Sequence, residues 1–174
     1  KFSLVPIRDR DKFKIMNWRN EQIYHLRQNK PLTKESQEQY FKEVISNQFE
    51  QENPKQILFS FIAENICIGY GGLVHINWID KTAEISFIMD TLLEENNFEK
   101  IWEVYLSLIE KVAFEELRFS RIYTFAYDVR PHLYLVLGKA GFKEEARLKN
   151  HYLYGNLYVD VLIHSKINCN AKIS

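Results

Sequence analysis

Apolar and polar positions along the chain follow two periods, and the switches between them mark the elements. Phe2 to Ile7 alternates as a first strand. Asp9 and Asp11 offer N-cap chemistry to a helix from Lys12 to about Gln22, with Phe13, Ile15, Met16 and Ile23 on its inner face. Thr33 caps a second helix that runs to about Ser46 and buries Tyr40, Phe41, Val44 and Ile45. A polar loop with a proline covers 47–56. Three antiparallel strands follow, at Ile57–Ala63, Ile66–Ile76 and Lys81–Met89, joined by tight turns. Gly69, Gly71 and Gly72 interrupt the middle one, which signals a bulge or a close approach by another group.

The helical period then returns from about Asn97 to Leu117, through Ile101, Tyr105, Leu108, Ile109, Val112 and Phe114. Ser120–Tyr127 reads as a strand, Pro131 opens a short helix that ends at Gly138–Gly141, and a last strand pair spans Lys143–Tyr154 and Leu157–Ile163 around Gly155-Asn156. Residues past about Lys166 read as a tail. The expectation is one domain over 1–166, with a tail at 167–174.

Composition narrows the partners. The chain has 174 residues, 46% of them apolar, enough for one core. Its 23 basic and 23 acidic residues cancel, which argues against a nucleic-acid partner. Cys67 and Cys169 do not make a disulfide framework, and a reducing, cytoplasmic setting is expected. The N-terminus lacks a signal-peptide pattern and no apolar run reaches the roughly 20 residues of a spanning helix, so no membrane partner is expected. His151, Asp160 and His164 lack the short paired spacings of a zinc site, and no metal is expected.

The ordered set TAEISFIMD, VAFEEL, GKAGFKEEARLKNHY and YGNLYVDVLIHS resembles the GCN5-related N-acetyltransferase (GNAT) superfamily over nearly the whole chain. Within it, the match is to the branch of ribosomal-protein N-terminal and nucleotide-sugar amine acetyltransferases. The resemblance implies an α/β fold: a mixed, mostly antiparallel central sheet of six or seven strands flanked by about four helices, with a splayed parallel strand pair. It implies transfer of an acetyl group from acetyl-CoA, as cosubstrate, to a primary amine. The acceptor it suggests first is a small molecule, an amino-sugar nucleotide ahead of a protein N-terminus. A GNAT-fold binding protein with weakened catalysis is the alternative. The aromatic-rich last strand offers a surface for a homodimer.

The resemblance also places the site. Cosubstrate binding falls to Phe87, Ile88 and Met89 on the strand, to Asn97, Phe98, Glu99, Lys100 and Ile101 at the start of the long helix, and to Arg130. The family's diphosphate loop is rich in glycine, yet NNFEKI stands at 96–101 and no glycine lies between Gly72 and Gly138. Either a modified loop binds the cosubstrate or the site no longer does. Glu84, a carboxylate in an apolar strand, is the candidate general base, against an outward or Arg-paired Glu. Leu137 fills the slot of the family's usual tyrosine acid, and Tyr134, one turn away, is the substitute. Trp18, Arg19, Tyr70, Trp78 and His151 are the acceptor-binding candidates, with Arg27 in the covering loop. A pair between Arg130 and Asp128 is the structural reading of Arg130.

Overall fold

The computed structural model describes residues 1–169. One sheet holds β1 (Phe2–Pro6), β2 (Ile57–Ala63), β3 (Ile66–Asn77), β4 (Thr82–Met89), β5 (Arg121–Tyr127), β6 (Lys143–Tyr154) and β7 (Leu157–Ile167). Their spatial order is β1-β2-β3-β4-β5-β7-β6. Every neighbouring pair is antiparallel except β4 and β5. The helices are α1 (Lys12–Glu21), α2 (Lys34–Tyr40), α3 (Thr91–Glu110) and α4 (Pro131–Lys139). α2 runs on through a π-helical turn, Phe41–Ile45, into Ser46–Gln48, and α3 through another, Lys111–Glu116.

The sheet separates two cores. α3 sends Ile101, Trp102, Tyr105, Leu106 and Ile109 into one face, where α4 adds Leu133, Val136 and Leu137. α1 and α2 cover the other face with Ile15, Trp18, Phe41 and Ile45. β4 feeds both cores, which explains its nearly unbroken apolar run: Ala83, Ile85, Phe87 and Met89 face the first and Ile88 the second. The glycine run in β3 serves the first core. Tyr105 stacks on Phe87 with ring centroids 3.8 Å apart, and its hydroxyl donates to the Ser86 carbonyl at 2.7 Å. A Cβ on Gly71 would lie 2.1 Å from that carbonyl oxygen and 2.7 Å from the hydroxyl. The close approach signalled by the glycines is therefore made within this chain, by backbone carbonyls of the flanking strands β2 and β4 and, at Gly71, also by Tyr105 of α3.

Local chemistry corrects several expected boundaries. α3 begins at Thr91 rather than near Asn97, because Asp90 caps it. The Asp90 carboxylate accepts from the Leu92 N–H, and its carbonyl from the N–H groups of Leu93 and Glu94. Thr33 caps α2 as expected, in a reciprocal box with Ser36. Asp11 does not cap α1; it pairs with Arg8 and accepts from Ser60 Oγ at 2.7 Å. β7 continues to Ile167, since its last residues pair with the start of β5 (Arg121 with Ile167). Of the expected tail, residues 170–174 lie outside the described residues.

The feature that positions a site is the break between β4 and β5. They pair only where Thr82, Ala83 and Glu84 meet Arg121, Ile122 and Tyr123. Beyond Glu84 the strands part, and the β4 backbone lacks a strand partner on that side.

Candidate active site

The gap between β4 and β5 encloses a cavity of roughly 110 Å³. Ile85 to Ile88 make one wall and Thr124 to Tyr127 the other; Trp102 and Leu133 close the base, while His25, Leu26 and Arg27 cover it. Glu84 stands at the vertex, where pairing stops, and is 5% exposed. Both its oxygens are engaged. Arg27 Nη2 donates to Oε1, and His75 Nδ1 lies 2.7 Å from Oε2. The Arg27 guanidinium also sits 4.8 Å from the Phe125 ring centre, so it ties β4 to β5 across the mouth of the gap. His75 adopts φ +48°, where the β3–β4 register breaks between Val74 and Asn77, and its side chain is largely exposed.

A second cavity, roughly 390 Å³, lies on the α1–α2 side of the sheet. Ile15, Leu32, Phe41 and Leu58 give it apolar walls, and Arg19, Tyr40, Gln56 and Tyr70 a polar rim. Arg19 donates to the Tyr70 hydroxyl at 2.6 Å and to Gln28 Oε1 at 2.9 Å. Gln56 Nε2 donates to the Tyr40 hydroxyl at 2.7 Å. No Asp or Glu contributes to the lining. Ser86 borders both cavities, which brings the second one up to the gap beside Glu84.

A third, open cavity of roughly 600 Å³ lies beside the first turns of α3, among Glu21, Tyr24, Glu94, Glu95, Glu99 and His132. Arg130 forms part of the wall of the gap, and Glu94 part of the wall of this basin. Arg130 is 6% exposed and donates through Nη2 to Glu94 Oε1 at 2.5 Å. Its Nη1 lies 2.9 Å from His25 Nε2, and the guanidinium sits 5.1 Å from the Phe98 ring centre. Burial, and then the charge of Arg130, push the His25 ring down to about 3. His25 is therefore neutral near pH 7 and can accept from the arginine.

The gap gathers Glu84, Phe87, Ile88 and Arg130. Met89 follows them, and its carbonyl accepts from the buried Gln22 side chain at 2.8 Å. The segment expected as a loop is internal helix: Phe98 and Glu99 face the basin, Asn97 and Lys100 face solvent, and Ile101 is in the core. Arg19 and Tyr70 rim the second cavity, and Trp18 is buried in the core of that face.

Three candidates stand apart from these cavities. Trp78 Nε1 donates to the Pro54 carbonyl, and its ring packs edge-on against Phe119. His151 lies exposed on β6, edge-on to Phe125. The Tyr134 hydroxyl donates to Asp128 at 3.1 Å, and burial together with that carboxylate raises its pKa well above the usual phenol range. The expected Arg130–Asp128 pair is absent: Arg130 takes Glu94, and Asp128 takes Arg147. Sequence reasoning passed over His25, Ser86 and Tyr127. His25 sits in a polar segment without period, and Ser86 and Tyr127 read as ordinary strand positions.

Among the described residues, no helix is long and apolar enough to cross a membrane, and no group of His, Cys, Asp or Glu is arranged to hold a metal ion. Among curated proteins, none matches the chain. Solved structures do. Mutant forms of the spermidine/spermine N-acetyltransferase SpeG from Vibrio cholerae share 21% identity and a TM-score of 0.78, over 96% of this chain and 94% of theirs. The Vibrio cholerae spermidine N-acetyltransferase in complex with CoA and spermine gives 19% and 0.78, over 96% and 95%. A dodecameric form of the enzyme from that organism gives 21% and 0.74, over 96% and 94%. At such identities these likenesses show the fold. The model of the acetyltransferase (GNAT) domain matches residues 4–163. The chain thus belongs to the GNAT acetyltransferases, acyltransferases that use acetyl-CoA.

Proposed function

We propose that this acetyltransferase acts on the primary amine of a small acceptor with a ring body and neutral or anionic substituents, an amino-sugar nucleotide being the class that fits best. The observation that carries the reading is the lining of the second cavity: apolar walls, amide and phenol groups, Arg19, and no carboxylate. A polyamine bears several positive charges and needs carboxylates to receive them; here it would meet a guanidinium instead. A sugar presents hydroxyls to amides and phenols, and a phosphate suits the arginine fork.

The donor site fits its cosubstrate in part. The β4 backbone from Ile85 to Ile88, which has no strand partner on the β5 side, can receive an extended amide-bearing arm as an added strand. The N–H groups of Leu92, Leu93 and Glu94 at the start of α3 are taken by Asp90, so the anionic part needs another partner. Acetyl-CoA supplies the acetyl group as an activated thioester. The chain's own residues orient the amine and manage its protons. Glu84, at the vertex and beside Ser86, is the group we assign to hold the proton that the amine gives up. His75 then connects Glu84 to solvent, and Arg27 fixes the carboxylate and closes the gap. Tyr127, on the cavity wall, is better placed than Tyr134 to return a proton to the departing thiolate.

The test is mass spectrometry after incubation with acetyl-CoA and a panel of amines. Acetylation is expected on a nucleotide-linked amino sugar. Arg19→Gln should raise KM for that acceptor by about tenfold with kcat little changed, since it removes a binding contact. Acetylated polyamine as the sole product would sink the reading.

A further inference from the structure

We infer that Arg130 is the residue that receives the diphosphate of the acyl donor, and that Glu94 keeps it masked in the free protein. The inference rests on acetyl-CoA being the donor, and it concerns how this chain replaces a glycine loop that it lacks.

Helix α3 has little to offer an anion. The N–H groups of Leu92, Leu93 and Glu94 all end on Asp90, and residues 96–101 lie inside the helix, where backbone donors are spent on the preceding turn. The basin beside it carries Glu21, Glu94, Glu95 and Glu99. A diphosphate entering there is repelled unless a cation meets it.

Arg130 is that cation by position. It borders the β4–β5 gap, Glu94 borders the basin, and the two are paired, so the ion pair stands where gap and basin adjoin. A ligand with an extended arm in the gap and an anionic end in the basin has to pass it. The guanidinium is buried but incompletely used: Nη2 is on Glu94, Nη1 on His25, and Nε has no partner. A phosphoryl group can replace the carboxylate on Nη2 and reach a second donor of the fork. The neutral His25 ring and the Phe98 face hold the guanidinium in place without competing for the anion. Glu94, in the first turn of α3, needs only a side-chain rotation to leave.

The experiment titrates CoA, and separately pantetheine, which is the same arm without the diphosphate, into wild type, Glu94→Gln and Glu95→Gln. Glu94→Gln removes the competitor and leaves Arg130 short of a counter-charge. It should bind CoA about tenfold more tightly than wild type and pantetheine no differently. Glu95→Gln changes net charge equally at an exposed carboxylate and should move CoA affinity by less than about threefold. Should Glu94→Gln fail to fold, Arg130→Lys decides. It should lose about tenfold in CoA affinity, with pantetheine binding intact. Equal CoA affinity for wild type and Glu94→Gln, equal gains from Glu94→Gln and Glu95→Gln, or unchanged CoA affinity in Arg130→Lys overturns the masking. Wild type that ignores millimolar CoA altogether overturns the donor reading, and the inference with it.

Discussion

Replacing His25 should flatten the acid sensitivity of the fold. The ring lies against Arg130, and burial and that charge bring its pKa from 6.5 to about 3. The unfolded ring titrates normally. Between about pH 6.5 and 3 the unfolded state therefore binds more protons, and stability present above that window is lost as pH falls through it. At about 1.4 kcal/mol per pH unit the full shift corresponds to about 5 kcal/mol. The ring keeps some contact with solvent, so we halve the value, to about 2 kcal/mol. For a chain of this size that is roughly 4–8 °C in Tm. The assay is urea denaturation of wild type and His25→Asn from pH 7 to pH 4, the amide oxygen of Asn being able to accept from Arg130. His132 and His164, also lowered by burial, titrate in both proteins and cancel in the difference. Wild type should lose about 2 kcal/mol more than the variant over that range. Parallel curves would refute the idea that His25 is held neutral by its burial beside Arg130.

Two further substitutions probe the site and its scaffold. Under the proposed role, in which the carboxylate handles a proton and not the donor, Glu84→Gln should lower turnover by roughly 10²-fold or more while CoA affinity stays within about twofold; an unchanged rate removes Glu84 from the mechanism. Gly71→Ala forces a Cβ against the Ser86 carbonyl and the Tyr105 hydroxyl. It should cost about 2 kcal/mol or more, seen as a lower Tm, because β3 and β4 must separate or Tyr105 must leave Phe87. A Tm equal to wild type would mean that the packing accommodates the methyl.

Most of the fold was legible because period and punctuation agree. The β3 glycines, Pro131 and the Gly141 turn fall where the backbone needs them: Gly141 adopts φ +85° after α4, and Pro131 is its first residue. The start of α3 was not legible. Thr91 to Asn97 lacks a clear apolar stripe, and a cap by Asp90 competes with the loop that the family resemblance suggests. Of the candidate site, Glu84 stood out as a charge in an apolar strand, and Arg130 by its place just before the short helix. Their partners did not. Glu84 meets Arg27, 57 positions away in sequence, and Arg130 meets His25, 105 positions away, so only the folded chain brings these groups together. The absence of acid in the second cavity was equally hidden, since its lining comes from residues scattered between Ile7 and Ser86.

The central claim is that this GNAT acetyltransferase acetylates an amine that is not a polyamine. Thiol release from acetyl-CoA, followed with a nucleotide-linked amino sugar and with spermidine as alternative acceptors, tests it most directly. The account predicts kcat/KM at least about a hundredfold higher for the amino-sugar nucleotide, a difference of roughly 3 kcal/mol in the transition state. A higher kcat/KM for spermidine would contradict it.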